Sequence, residues 1–312
     1  MALDKDTRKY VEAMSALGKI DFNNVPVDQM RAVNLQMANS ARKEEVSGIK
    51  DHYISPDRKV WMREYVPKKI LGHGTILFIH GGGFVFGGVE EYDAFVRHLA
   101  NTAQMRVFSL AYRLAPEFRF PAAHDDALSA YSWLISNSKS LDLNRDLISV
   151  MGDSAGATLS IHVGFNGTGK GEHRPRSLIL FYPAIGDVSS TESFKKFSKG
   201  YLLDGDFIKW FSKVYRGSDN DQKSAEHVRY NYLDSSKEEL ASFPETMMVT
   251  AEYDPLRDNG ELFANKLMEH DVSVISIRAN GMIHGFINNY EIIRNSELYI
   301  QFAASFARKT LR

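Results

Sequence analysis

The 312-residue sequence predicts an α/β protein whose mostly parallel sheet is covered on both faces by helices. Three observations lead there. From Thr75 onward, short apolar runs alternate with stretches of helical period, as parallel strands joined by crossover helices require. A content of 44% hydrophobic and 25% charged residues suits one large domain, or one that carries an insertion. Residues 147–159 then read as an apolar strand, a sharp turn holding Gly152-Asp153-Ser154-Ala155-Gly156, and a helix.

Residues 4–47 carry helical spacing: Tyr10, Met14 and Leu17 share one face and Met30, Val33, Met37 and Ala41 another, with Pro26 near a helix start. Residues 49–54 and 60–66 read as strands turned around Ser55-Pro56-Asp57, an antiparallel hairpin. A strand over 75–80 leads through a glycine-rich loop to a helix over 92–102, and a strand over 105–111 leads to a helix over 122–136. The strand over 147–151 precedes the helix after Ser154, and another strand covers 178–181. Strand 246–251, helix 260–270, strand 272–278 and a last helix over 291–307 complete the alternation. Residues 188–243 contain no clean strand, although Phe207, Trp210, Phe211 and Val214 keep helical spacing; an insertion of this length reads as a cap. The expected division is an N-terminal helical cap segment over 1–47, a core over 48–187 and 244–312, and a cap insertion over 188–243.

A net charge of −1 and a pI near 6.8 supply no field for nucleic acid or an acidic membrane surface. The chain has no cysteine, which excludes disulfides, thiolate catalysis and cysteine-based zinc sites and fits a reducing compartment. Residues 1–20 mix charged with apolar residues, unlike a signal peptide, and no apolar run reaches the roughly 18 residues of a membrane span. A cytoplasmic protein is expected. Self-association is left open.

A serine hydroxyl is a weak nucleophile at neutral pH and needs a base to take its proton. In a strand–turn–helix elbow of this type an acid and then a histidine follow the serine, each beyond a strand end. Asp254 follows the strand over 246–251 and His284 follows the strand over 272–278, so Ser154, Asp254 and His284 are the candidate triad. Asp258 and Glu252 compete with Asp254; Asp258 lies further from its strand and is assigned to capping the helix near Asn259. In His80-Gly81-Gly82-Gly83-Phe84 the glycines leave backbone N–H groups unobstructed, so Gly82, Gly83 and Ala155 are candidate oxyanion donors. His80 is expected to orient that loop through a hydrogen bond rather than act as a base. His52, His73, His98, His124, His162, His173, His227 and His270 read as surface or structural residues, and Asp125 and Asp126 as partners of a helix dipole. Candidate substrate contacts are Phe84, Phe194, Phe197, Tyr201, Trp210, Phe211, Tyr182 and Ile283. No metal site is expected. Residues 164–171 imitate a phosphate loop but end in Gly and follow a helix, while Ser136-Asn137-Ser138-Lys139 and Ser218-Asp219-Asn220 read as chance matches to other motifs.

Five blocks in order resemble the hormone-sensitive-lipase-like family of α/β-hydrolases, which includes bacterial acetyl esterases. They are His80-Gly81-Gly82-Gly83-Phe84; Tyr112-Arg113-Leu114-Ala115-Pro116-Glu117 with Phe120-Pro121-Ala122-Ala123; Gly152-Asp153-Ser154-Ala155-Gly156; Asp254-Pro255-Leu256-Arg257-Asp258; and His284-Gly285-Phe286. The resemblance implies an α/β-hydrolase fold with an eight-stranded sheet whose second strand is antiparallel, a helical cap, no cofactor, and hydrolysis of short-acyl esters. It places the acid before Pro255, which favours Asp254 over Glu252. Ala157 departs from the family, where many relatives carry another glycine. The expected reaction is serine attack on a small-molecule ester, with an acyl-enzyme intermediate. Two readings stay open beside it: a non-catalytic small-molecule receptor on the same fold, against which the presence of His284 argues, and an amidase using the same triad.

Overall fold

The computed structural model describes residues 2–18, 22, 24–168, 173–217 and 231–312. Its centre is one eight-stranded sheet in the order β1-β2-β4-β3-β5-β6-β7-β8. The strands are β1 (Gly48–Tyr53), β2 (Trp61–Val66), β3 (Thr75–Ile79), β4 (Arg106–Ala111), β5 (Ile148–Asp153), β6 (Ser177–Phe181), β7 (Glu245–Tyr253) and β8 (Val274–Ile283). β2 runs antiparallel to both β1 and β4, and all other neighbours are parallel. The antiparallel hairpin and second strand expected from the sequence are therefore present.

The central strands are apolar on both faces because both are covered. On one face Leu77, Ile79, Leu110, Val150 and Leu180 meet α4 (Ala122–Asn137), α5 (Ala155–Asn166) and the helix Arg257–Glu269. On the other, Ile76, Phe78, Val107, Met151 and Ile179 meet α3 (Asp93–Ala103) and the last helix, Ser296–Thr310. Neighbours such as Ile76 and Leu77 fall into different clusters because side chains alternate along a strand. Each fully buried Leu, Ile or Phe here contributes about 1.5–3 kcal/mol to the folded state.

Several expected boundaries shift for identifiable reasons. The N-terminal helical stretch is two helices, α1 (Lys5–Ala16) and α2 (Val27–Asn39), and residues 42–46 are not helical. There Arg97 and Asn101 of α3 bond the Glu44 and Glu45 carbonyls, which removes those acceptors from any helix. β8 continues beyond Arg278 to Ile283 across a register shift on β7 between Ala251 and Tyr253. The Glu252 carboxylate accepts from Gly281 N there, at 2.7 Å, and Gly281 has φ +75°. The helix expected from residue 260 begins at Arg257, so Asp258 lies in its first turn and not at its cap; the cap position is Leu256, with no side-chain bond. Asp258 instead accepts from Ser193 N and from Arg257. Asp126 pairs with the Arg113 guanidinium and backbone rather than with its helix end. The last helix starts at Ser296, after a short 3₁₀ turn over Phe286–Asn289.

Between β6 and β7 the described residues hold α6 (Glu192–Phe197), α7 (Gly205–Arg216), a 3₁₀ turn and the one-turn helix Lys237–Leu240, and no strand. Ser218-Asp219-Asn220 and His227 lie outside the described residues, as does part of the 164–171 stretch. Among the described residues no helix is long and apolar enough to cross a membrane.

Helix α5 lies against β3 and β5 without space for a side chain. A Cβ on Gly156 would stand 2.0 Å from the Ile79 carbonyl oxygen, and one on Gly152 would stand 2.4 Å from Gly156 C. Gly156→Ala should therefore destabilise the protein by about 1–3 kcal/mol, the usual cost of forced overpacking, as measured by urea unfolding. Gly48→Ala, where the added atom meets only Val66 at 3.7 Å, is the matched control. Equal stabilities for the two variants would contradict the packing described.

Candidate active site

The turn after β5 is what aims the serine. Ser154 has φ +53° and ψ −120°, a conformation that costs an L-residue strain energy and persists only when its surroundings dictate it. Gly152 and Gly156 permit the chain to fold back tightly, and Ser154 N donates to Phe181 O on β6 at 2.9 Å. The side chain faces a cavity beyond the carboxyl ends of the strands, where open α/β sheets commonly bind ligands.

Asp254 follows β7 and His284 follows β8. The His284 Nε2 stands 2.9 Å from Ser154 Oγ, and its Nδ1 stands 2.8 Å from Asp254 Oδ2. The other Asp254 oxygen accepts from Leu256 N at 2.8 Å, and the carboxylate is wholly buried. Of the three acids weighed from sequence, only Asp254 reaches the imidazole; Glu252 and Asp258 are occupied by the contacts described above. Tyr182 packs its buried ring 4.7 Å from the His284 ring, which limits how far the imidazole can turn.

The glycine loop after β3 is bent by a series of left-handed residues, Gly82 (φ +107°), Gly83 (φ +61°) and Phe84 (φ +64°). A Cβ on Gly82 would stand 2.1 Å from the Phe86 carbonyl oxygen. Among the described residues the N–H groups of Gly82, Gly83 and Ala155 donate to no protein acceptor, and all three residues line the cavity beside Ser154. His80 Nδ1 lies 2.8 Å from Gly81 O, and its ring stacks on Tyr112 at 4.2 Å. Burial holds the His80 imidazole down to about 4, so at neutral pH it is an uncharged donor to its own loop.

One buried acid joins the three loops. The Asp153 carboxylate accepts from Gly81 N at 2.8 Å, from Tyr92 OH at 3.1 Å and from Asn288 Nδ2 at 3.0 Å. Asn288 also donates to Tyr92 OH. The serine turn, the glycine loop and the segment after His284 are thus held by a single carboxylate. Nothing in the spacing of the sequence singles out Tyr92 or Asn288; Asp153 was visible only as the variable letter inside the serine motif.

The cavity has a volume of about 1230 Å³. Of the candidate substrate contacts, Phe84 and Phe211 line it. The other six do not. Phe197 and Tyr201 pack on Tyr253, Phe194 packs against Gly205, Trp210 stacks on Phe86, Ile283 is buried with Val11 and Tyr253, and Tyr182 lies against His284. Phe207 and Ile208 of α7, Met30, Val33 and Met37 of α2, and Glu91 line the cavity instead. The apolar stripe of α2 was legible as a helix face, but what it faces is decided by the tertiary fold.

A sheet of this topology with a serine elbow, a histidine and a buried acid at the ends of three strands defines the class of α/β-hydrolases. Comparison with known proteins agrees. A family model described by its alpha/beta hydrolase fold matches residues 76–288. An arylesterase of Saccharolobus solfataricus is 32% identical over 294 residues, covering 93% of this chain and 94% of the relative. An ethyl acetate hydrolase of Pseudomonas putida is 31% identical over 73% of this chain and 70% of its own length. A solved hyperthermophilic esterase of the archaeon Pyrobaculum calidifontis superposes with a TM-score of 0.87 at 31% identity, covering 99% of both chains. The chain belongs to the hormone-sensitive-lipase-like family of α/β-hydrolases, and within it to the carboxylic ester hydrolases.

Burial pushes the Asp153 carboxyl up to about 6, against the pull of Asn288, Gly81, Tyr92 and His284. An acid raised by folding holds its proton more tightly in the native state. Its stabilising contribution is complete below about pH 4 and is lost as pH rises through about 6. Asp153→Asn has no such proton to lose. Relative to the wild type, the variant's unfolding free energy should therefore gain about 3 kcal/mol between pH 4 and pH 7 in urea titrations. A difference that stays constant across that range would contradict a buried, titrating acid.

Proposed function

We propose that the chain is a serine carboxylesterase acting on short-acyl esters through an acyl-enzyme. The observation that carries this reading is the unbroken line from Asp254 through His284 to Ser154 Oγ, ending in a cavity beside unobstructed backbone donors. In this mechanism Ser154 Oγ attacks the ester carbonyl while His284 Nε2 takes its proton, and Asp254 fixes the tautomer and stabilises the imidazolium. Gly82, Gly83 and Ala155 N–H groups receive the oxyanion; each such donor is worth about 3–4 kcal/mol in the transition state. His284 then protonates the leaving alcohol, and water enters by the reverse route to release the acid.

We further propose that residues 1–47 and 188–243 form a cap over this site. α2 and α7 both line the cavity, which supports that division. The absence of cysteine is compatible with a cytoplasmic site of action. A short acyl group fits the narrow approach at Phe211, whose ring stands within 2.3–2.5 Å of where a Gly83 Cβ would be. The relative named for ethyl acetate hydrolysis also supports small acyl groups.

Mixing enzyme with an activated acetate ester should give a product burst. Ser154→Ala and His284→Ala should each abolish it, with turnover falling about a million-fold. Full turnover by the Ser154→Ala protein would overturn the reading. Across a series of acyl esters from acetyl to dodecanoyl, kcat/KM should drop steeply beyond short chains. Phe211→Ala should raise the octanoyl-to-acetyl ratio about tenfold or more by freeing space for apolar burial. An unchanged ratio would place the chain-length limit elsewhere.

A further inference from the structure

Glu91 is the feature of the cavity that triad chemistry leaves unused. It lines the same space as Ser154 and His284, half-buried, and among the described residues its carboxylate has no hydrogen bond to another residue and no ion pair. Burial pushes its carboxyl above the ordinary glutamate range, Glu90 adds to this, and its own N–H and Arg31 draw it down. Arg31 is already committed to Glu117 and to the Val85 and Ala115 carbonyls. Arg216, the basic side chain of the cavity lining, is not among the groups acting on Glu91. A half-buried carboxylate with no cation in contact is a cost to the free protein that a cationic ligand would reduce.

The surrounding chemistry says which half of the ester would bring that cation. Leu203, Phe207, Ile208 and Phe211 make one stretch of the lining apolar, suited to an acyl chain. The stretch that holds Glu91 is joined to the histidine segment: its neighbour Tyr92 accepts from Asn288, four residues past His284, and His284 is the group that hands its proton to the leaving alcohol. That stretch is also aromatic. Tyr92, Phe95 and Tyr290 line the cavity as a chain of rings, with centroids 6.5 Å and 6.2 Å apart. Ring faces together with a carboxylate are the means by which proteins hold quaternary and protonated amines.

We propose that the cavity receives esters whose alcohol half carries a cationic amine, and that Glu91 selects them. The inference rests on Ser154-dependent ester hydrolysis. Its test compares kcat/KM for the acetate ester of choline with that for 3,3-dimethylbutyl acetate, the uncharged isostere. Wild-type enzyme should favour the choline ester by about tenfold, the scale of a partly buried charge pair, chiefly through KM. Glu91→Gln should collapse that ratio toward one, and because each protein is compared with itself, a loss of overall activity does not obscure it. Should Glu91→Gln not fold, the wild-type ratio decides alone: a value near one overturns the inference. So does a preference that survives in Glu91→Gln, or one that appears only for ethyl 4-(trimethylammonio)butyrate, which carries the cation on the acyl half. Hydrolysis of the neutral ester that does not need Ser154 would instead overturn the reading of function beneath it.

Discussion

Everything at the site depends on how closely α5 approaches the backbone of β3. The approach is possible only because Gly152 and Gly156 face each other and the Ile79 carbonyl across distances that exclude a Cβ. It is this contact that ends β5 abruptly and drives Ser154 into a left-handed conformation. A looser junction would let the turn relax, and the serine hydroxyl would fall back toward the sheet. The strain at Ser154 is therefore maintained by burial elsewhere, chiefly the wholly buried strands on either side of β5.

The second dependence is electrostatic. Gly81 N, Tyr92 OH and Asn288 Nδ2 converge on Asp153, so the loop with the candidate oxyanion donors, the serine turn and the segment after His284 cannot move independently. Fixed dipoles stabilise a developing charge without reorganising only when they are held in advance, and a buried carboxylate with three donors does so at short range. The arrangement carries a cost, since desolvation opposes the Asp153 charge, but the donors and the nearby imidazole offset part of it. Tyr182 completes the restraint by flanking the His284 ring.

What could be read from the chain follows the range of the interactions. The strand and helix alternation, the antiparallel hairpin and the residues of the candidate triad were legible because each is written in local pattern: apolar runs, glycines that a turn demands, and polar residues just beyond strand ends. Boundaries set by distant partners were not. The non-helical run after α2 results from Arg97 and Asn101 capturing carbonyls of Glu44 and Glu45, and the extension of β8 depends on the shifted register against β7. The same limit explains the aromatic residues between β6 and β7. Their helical spacing shows that Phe207, Trp210 and Phe211 share a helix, but which of them lines the cavity is set by tertiary packing: Phe207 and Phe211 line it, while Trp210 stacks on Phe86.

Helix α2 is tied to the site by a similar long-range device. Arg31 of α2 donates to the carbonyls of Val85 and Ala115 and pairs with Glu117 through both terminal nitrogens. Ala115 N in turn donates to Phe84 O, at the end of the glycine loop. One guanidinium therefore fixes α2 to the loop that presents Gly82 and Gly83 and to the segment that follows β4. Because a rigid planar fork satisfies several acceptors at once, such an anchor resists sliding more than a single lysine contact would. The wall of the cavity formed by Met30, Val33 and Met37 is consequently held in register with the glycine loop, and the shape offered to a substrate is coupled to the position of the groups that would act on it.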